Sequence, residues 1–205
     1  MKLLIDGDII VYRIGFASQT TDKETGLVIA DPESHALHSC KLYLNKVVEE
    51  SGCDSFTVYL TPKTNFRKKV RDDYKANRKD KAKPVHVGAI RKYLISKYKA
   101  KEIEGMEADD ALGLKQDSTT CIASIDKDLL MCEGRHYNFV KKEHTTTTPE
   151  QGTKFFYQQM LTGDTVDNIM GIKGIGKVKS VRLLDDTPRK DWDSMILDLY
   201  IEQFG

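Results

Sequence analysis

Three signposts are missing from this 205-residue chain. No apolar run approaches the roughly 18 residues that a membrane-crossing helix needs, so no span is expected. The four cysteines, at 40, 53, 121 and 132, include no C-x-x-C pair. Reduced thiols in a cytosolic compartment are therefore expected rather than a disulfide framework, and cysteine catalysis has no motif. Net charge is only +1, which by itself points to no partner. There is also no internal repeat and no long Gly/Ser linker. The opening MKLLI is cut off by Asp6 and Asp8 and reads as a strand rather than a signal peptide. What is there, 40% hydrophobic and 31% charged residues, describes a soluble globular chain with one sizeable core.

The near-zero net charge hides a segregated one. Residues 63–83, KTNFRKKVRDDYKANRKDKAK, hold ten Lys or Arg against three Asp, a local balance of +7. The acids elsewhere gather into short clusters, so the chain carries a field that its net value conceals.

Strands are expected at KLLI (2–5), FTVYL (56–60), TCIASI (120–125) and HYNFV (136–140), each rich in β-branched or aromatic residues. Helical periodicity lies between them, with apolar stripes at 37, 40, 44, 47 and 48 and at 87, 90, 94, 95 and 98. Thr148-Pro149-Glu150 reads as an N-cap and first turn leading into KFFYQQML. Trp192, Met195, Ile196 and Leu199 share one face of a last helix. Strands alternating with helices predict an α/β fold with a mostly parallel sheet flanked by helices. Such sheets place ligand sites at the carboxyl ends of strands. KLLI runs into Asp6, and TCIASI into Asp126 with Asp128 two residues on, so two strands deliver acid to one edge.

Four acidic clusters stand out: IDGD (Asp6, Asp8), EADDALG (Glu107, Asp109, Asp110), SIDKDLL (Asp126, Asp128) and GDTVDN (Asp164, Asp167). Asp6 and Asp8 would share a strand face if the chain stays extended, and Asp164 and Asp167 a helix face. Converging carboxylates repel and raise one another's pKa values unless a cation joins them. Oxygen-only ligands suit Mg2+ or Mn2+ better than zinc, and two such ions can clamp a phosphodiester. Each cluster also has a plain structural reading: a turn at Asp8 or after Asp126, a dipole-favoured first helical turn at 107–110, an N-cap at Asp164.

GIKGIGKVKSVRLL (171–184) reads as a helix end, a glycine hairpin and a second helix. Gly174 and Gly176 allow backbone N–H groups close to a phosphate, the helix adds its positive N-terminus, and Lys177 and Lys179 add charge. The alternative is an ordinary helix–helix turn with a glycine cap. In the basic run, Phe66 and Tyr74 alternate with Arg67, Lys75 and Arg78. That pattern suits a single nucleic-acid strand, bases stacked and backbone neutralised, against the alternative of a solvated helix face.

The blocks LLIDGD, NFRKKVRDDYKANRK, GMEADDALG, ASIDKDLL and GDTVDNIMGIKGIGKVKSVRLL, in this order, resemble the flap endonuclease/5′→3′ exonuclease family. That family includes phage 5′-nucleases and the 5′-nuclease domain of bacterial DNA polymerase I. The resemblance spans nearly the whole chain. It implies a PIN-like α/β nuclease fold with a helix–three-turn–helix DNA-binding element around 160–185. The whole of 1–205 would form one 5′-nuclease domain, with a core at 1–145, a basic arch at 63–84 and a helical part at 146–205. It further implies two Mg2+ ions, for which Mn2+ can substitute. Asp6, Glu107 and Asp109 match ligands of the first, with Asp109 bridging and Asp110 in the same motif. Asp126, Asp128, Asp164 and Asp167 match the second cluster. Tyr74, Lys75 and Arg78 match the Y-K-x-x-R of the arch, and Arg67 a phosphate-steering arginine. Lys75 and Arg67 would stabilise charge on the scissile phosphate. Gly174, Gly176 and Lys177 match a duplex-gripping loop whose carbonyls hold K+ in this family. The expected partner is DNA with a 5′ end, flap or single-strand/duplex junction, alongside other replication proteins and no membrane. The expected setting is the cytoplasm, that of the host if the chain is phage-encoded.

Two departures shape the expectation. The family carries an Asp at the end of its second strand, where this chain has Tyr59-Leu60. Asp8, an extra acid near Asp6, is the expected partial substitute. About twenty residues follow the glycine-hairpin element 171–184, and KDKAKP is short, so an open clamp is expected rather than a closed arch, with a partner supplying further DNA contacts. The sequence thus predicts a metal-dependent 5′-nuclease. Two rival readings are a DNA-structure binder without activity, motivated by Leu60, and a PIN-type ribonuclease, which would have no use for GIKGIGK.

Overall fold

Apolar residues on consecutive positions, rather than alternate ones, mark strands buried on both faces, and LLI and CIA form such strands here. The computed structural model describes residues 1–78 and 81–205; Lys79 and Asp80 of the basic run lie outside the described residues. In chain order the elements are β1 (Lys2–Asp6), α1 (Gly7–Ala17), β2 (Gln19–Thr21), β3 (Val28–Ala30), α2 (Glu33–Ser51) and β4 (Ser55–Leu60). There follow α3 (Arg67–Val70), α4 (Val87–Tyr98), β5 (Lys101–Glu102), α5 (Ala108–Lys115), β6 (Thr120–Ala123), β7 (Gly134–Asn138) and β8 (Glu143–Thr147). The last are α6 (Pro149–Thr162), β9 (Gly163–Asp164), β10 (Ile169–Met170), α7 (Lys177–Asp186) and α8 (Trp192–Phe204). The chain divides into two units: Met1–Phe66 with Ala82–Thr147, and Arg67–Lys81 with Thr148–Gly205. Of the basic segment 63–84, grouped with the core on sequence, residues 67–81 fall in the second unit and the two ends stay in the first.

In the first unit a six-stranded sheet runs β5-β4-β1-β6-β7-β8. All pairs are parallel except β7 with β8. Side chains alternate across it. Leu3, Ile5, Val58, Leu60, Cys121 and Ala123 face the larger core under α1, α2 and α4, while Leu4, Tyr59 and Ile122 face α5. Burying apolar surface on both sides at about 25 cal/mol per Å2 is the main source of stability here. α1 begins on Gly7, where only glycine fits because a Cβ would lie 2.6 Å from the Tyr59 carbonyl oxygen. From β1 the chain crosses first to one side and later, through β6, to the other. The β1/β6 boundary is therefore the switch point at which open α/β sheets place their ligands.

The second unit buries Tyr157, Leu161, Ile172, Ile175, Leu184, Trp192 and Ile196 in one cluster, with Met195 and Leu199 of the expected last-helix face packed against it. A capping box between Thr148 and Gln151 starts α6, a device worth about 1 kcal/mol. The Trp192 indole N–H donates to the carbonyls of Leu184 (3.1 Å) and Thr187 (2.9 Å).

Several elements are shorter or different from expectation. TCIASI is a strand only to Ala123, because the Ser124 hydroxyl turns back to accept from the Asp126 N–H (3.1 Å). HYNFV begins earlier and stops at Asn138, whose side chain accepts from the Val140 and Lys141 N–H groups. Ile95 of the second helical stripe is exposed. Asp6 and Asp8 do not share a strand face: β1 ends at Asp6, which caps α1, and Asp8 lies in the helix's first turn. Nor do Asp164 and Asp167 share a helix face. α6 stops at Thr162, Gly163 takes a left-handed φ of 65°, and Asp164 pairs with Ile169 in the β9–β10 ladder while Asp167 sits in the turn between. Residue 171 is accordingly not a helix end, although α7 follows the glycines as expected.

Candidate active site

The carboxyl edge of the sheet carries the acids of the first unit. Asp6 ends β1 and is 6% exposed. One of its oxygens accepts from the Ile9 N–H (3.3 Å), and the other from the Ser124 hydroxyl (3.0 Å) across the β1/β6 switch point. The same hydroxyl accepts from Asp126 N–H, and Asp126 Oδ1 accepts from Asp128 N–H (2.9 Å). A chain of hydrogen bonds therefore links the loop after β6 to Asp6. Burial, and then the neighbouring Asp8 carboxylate, push the Asp6 carboxyl up to about 7, and Asp109 acts in the same direction. Asp109 is thus within electrostatic reach of Asp6.

Glu107 is buried at the start of α5 and forms a capping box with Asp110, whose Oδ2 accepts from the Glu107 N–H (3.0 Å). Asp109 Oδ1 accepts from the Asp110 N–H (2.8 Å). The plain and the chemical readings of this motif coexist: the acids favour the helix N-terminus while lying beside the sheet edge. Among the described residues no three His, Cys, Asp or Glu side chains are gathered closely enough to form a ready-made metal cage. The donor set itself fits a hard divalent cation. It is all oxygen, and Asp6, raised first by burial and then by Asp8 and Asp109, is a carboxylate whose charge such a cation would stabilise.

Asp8 is already engaged. Arg91 Nη1 donates to its Oδ1 (2.6 Å) and the Thr61 N–H to its Oδ2 (3.0 Å). Arg91 also donates to the Thr61 carbonyl (2.6 Å) and pairs with Glu102. Asp8 therefore holds the end of β4 in place, which is not what its expected service as a replacement ligand requires. Leu60, at the expected acid's position, is 1% exposed and part of the core. Sequence reasoning missed Ser124, Thr61 and Arg91. The Thr61 hydroxyl accepts from the Ala108 N–H at the start of α5 (2.9 Å). Ser124 and Thr61 each directly follow a strand, and that position was the available signal; Arg91 had none.

The second unit holds the other candidates. Asp167 accepts from the Tyr74 hydroxyl (3.0 Å), lies 3.6 Å from Lys75 Nζ and pairs with Arg78. Arg67 and Lys75 sit over the Tyr74 ring, at 5.9 and 5.0 Å from its centroid. Tyr74 is buried, which corrects its expected role as a base-stacking surface, whereas Phe66 of the first unit is exposed. Asp164 Oδ1 accepts from the Val166 N–H (2.8 Å). Buried Ile172 and Ile175 anchor the glycine turn between them, Gly174 takes φ 79°, and Gly176 caps α7 with no side-chain acceptor. Added Cβ atoms at Gly174 and Gly176 would meet nothing within 4 Å, and Lys177 and Lys179 are exposed. Gly171 differs: its place is set by close backbone approach to Thr162 and Gly163.

Residues 1–159 match the model of the 5′-3′ exonuclease family, N-terminal resolvase-like domain, and the chain belongs to that family. DNA polymerase I of Bacillus caldotenax is 28% identical over 211 residues, covering 89% of this chain and 23% of that protein. The 5′-3′ exonuclease of Mycoplasma genitalium is 29% identical over 208 residues, covering 89% of this chain and 70% of that protein. The chain thus spans about a quarter of the polymerase's length. Among solved structures, the bacteriophage T5 flap endonuclease, in a pseudo-enzyme–product complex with DNA and metal ions, aligns with a TM-score of 0.62. It is 16% identical and covers 97% of this chain and 84% of that one. The fold is PIN-like: a mostly parallel sheet with helices on both faces.

Proposed function

We propose that this chain is a divalent-metal-dependent 5′-nuclease that hydrolyses DNA phosphodiesters at 5′ ends or flaps. The observation that carries the reading is Asp6, buried at the switch point of the sheet, bridged to the β6 loop by Ser124, and raised first by that burial and then by its acidic neighbours. A buried carboxyl in that condition is a group built to be completed by a cation. Asp6, Glu107, Asp109 and Asp110, with Asp126 and Asp128 after β6, are the side chains that would hold Mg2+ in the first unit. When bound there, the ion supplies water activation and neutralises charge on the phosphodiester. Ser124 orients Asp6, and the Glu107–Asp110 capping box fixes the acids of α5 in one direction. Arg67, Lys75 and Arg78 supply phosphate contacts, and the Gly174–Lys179 stretch grips backbone without reading sequence.

A 5′-flap duplex labelled at each end tests the reading, with Mg2+, with EDTA, and with an Asp126→Ala/Asp128→Ala variant. Cutting at the junction or stepwise 5′ loss, abolished by EDTA and in the variant, is the expected result. Binding without cutting would instead make the chain a DNA-structure binder whose Leu60 marks a lost site. For the glycine turn, Lys177→Ala/Lys179→Ala is expected to weaken duplex binding on every sequence alike. It should also flatten the log K against log salt plot by about 2, since each lost phosphate contact removes about 0.9. An unchanged slope would remove both lysines from the interface.

A further inference from the structure

The stretch from Arg67 to Arg78 has almost nothing apolar to hold it in place. Of its side chains only Tyr74 is buried, and Val70 is 78% exposed. α3 is a single turn of four residues, and Ala76–Arg78 form a short 3-10 turn. Isolated turns of that length do not persist in water. Yet the segment is tied to one place in the second unit, the turn between β9 and β10. Asn168 Nδ2 donates to the Asp73 carbonyl (3.1 Å) and to Asp73 Oδ2 (3.3 Å). Asn77 Nδ2 donates to the carbonyls of Thr165 (3.0 Å) and Val166 (3.3 Å). Arg78 Nε donates to the Val166 carbonyl (3.1 Å), and the Lys75 N–H to that of Asp167 (3.2 Å).

Two details single out Asn168 among these. Its φ is 61°, a left-handed conformation that Asn and Gly adopt more readily than other residues. Its partner Asp73 is in turn gripped by Arg71, whose Nε and Nη2 donate to the two carboxylate oxygens (2.8 and 3.0 Å). The Asn168 amide thus reaches both the backbone and an already immobilised side chain of the segment. Lys75 itself has φ 56°, a conformation that costs a lysine energy, so the docked form needs these cross-links to persist. Lys75 lies between Asp73 and Asn77, and Arg78 directly follows Asn77, so both cations sit next to points of attachment.

We propose that Asn168 is a positioning residue for cleavage, acting through Asp73 to dock the basic segment so that Lys75 and Arg78 are presented to a DNA phosphate. The assignment rests on the 5′-nuclease reading. It concerns neither the acids of the sheet edge nor the glycine turn.

Asn168→Gly is the decisive variant, because glycine keeps the left-handed backbone and removes only the amide. Losing one charge-assisted and one neutral hydrogen bond should shift the docked-to-undocked ratio by about tenfold. Three readouts follow. In the protein without DNA or metal, trypsin nicking after Arg71, Lys75 and Arg78, mapped by mass spectrometry, is expected to speed up by about tenfold, since cleavage follows the open population. On a 5′-flap duplex with Mg2+, KM is expected to rise only by the factor by which the docked fraction falls, with kcat changed by less than about twofold. Saturating duplex in EDTA, by binding the docked form, is expected to slow the variant's nicking by about tenfold. Unchanged nicking would overturn the docking role whatever the protein does to DNA. Faster nicking that saturating duplex does not slow would overturn the positioning role alone, and a lowered KM would show that the docked segment obstructs substrate. If the wild-type protein cuts no DNA at all, the nuclease reading fails first and the positioning role falls with it.

Discussion

Asp6→Asn is expected to abolish DNA cleavage and to stabilise the protein in the same stroke. Asparagine keeps the oxygen that accepts from the Ile9 N–H or the Ser124 hydroxyl but carries no charge. A metal site deprived of an anionic ligand loses several kcal/mol of transition-state stabilisation, or about 1000-fold in rate. The stability effect follows from the raised carboxyl. The folded-state value is about 7 against an ordinary 3.8, so the wild-type contribution is fully present below 3.8 and is lost as pH rises through about 7. By pH 8, without metal, ionised Asp6 costs on the order of 4 kcal/mol. Thermal unfolding in EDTA should therefore show wild type and Asp6→Asn melting together near pH 4. They should diverge by several degrees, about 5–10 °C, at pH 8. Mg2+ at pH 8 should raise the wild-type midpoint and leave the variant's nearly where it was. A gap between the two proteins that did not depend on pH would show that Asp6 is not the strained group described above.

Gly171→Ala is expected to cost far more stability than alanine at either glycine of the turn that follows, Gly174 or Gly176. A Cβ there would lie 2.2 Å from the Thr162 carbonyl carbon and 2.3 Å from the Gly163 nitrogen. Both are backbone atoms, so no rotamer change relieves the clash. The end of α6 and the β9–β10 ladder would have to separate, at a cost of about 3 kcal/mol or more. Two neighbours provide the scale. Gly174→Ala meets no atom but must hold φ 79°, worth about 1–2 kcal/mol. Gly176→Ala meets no atom and has φ −94°, so it should stay within about 0.5 kcal/mol. The chain's single tryptophan, Trp192, is buried in this unit's core. Its fluorescence in a urea titration reads the three variants on one scale. If Gly171→Ala unfolded no more easily than Gly176→Ala, the close approach of the two backbones would not exist in solution.

Much of the fold was legible because hydrophobic pattern and burial are the same physical fact. The parallel core strands, the capped start of α6 and the face of α8 all follow from it. The acids at the sheet edge were legible for a second reason: a strand that runs into Asp6 can present that side chain only at its carboxyl end. What the sequence did not reveal depends on contacts between distant residues. Nothing in IDGD shows that Asp8 answers to Arg91, because the two are 83 positions apart. Nothing in GDTVDN shows that Gly163 bends the chain, so that Asp164 and Asp167 part company. Leu60 read as the place of a missing ligand, and that its side chain fills the core beneath the sheet was not legible from the strand alone. Tyr74 read as a stacking surface by composition, and burial against its own unit decides otherwise.

The second unit is discontinuous: Arg67–Lys81 is completed only by Thr148–Gly205. Asp73 and Asn168 are 95 positions apart. At about 5–20 residues per second, a ribosome needs on the order of 5–20 s to deliver Asn168 after Asp73 has emerged. Through that interval the basic segment is a cationic tether without its dock, born beside a polyanionic ribosome. The order of synthesis therefore keeps this stretch undocked long after it emerges, open to proteases and stray nucleic acid while translation proceeds.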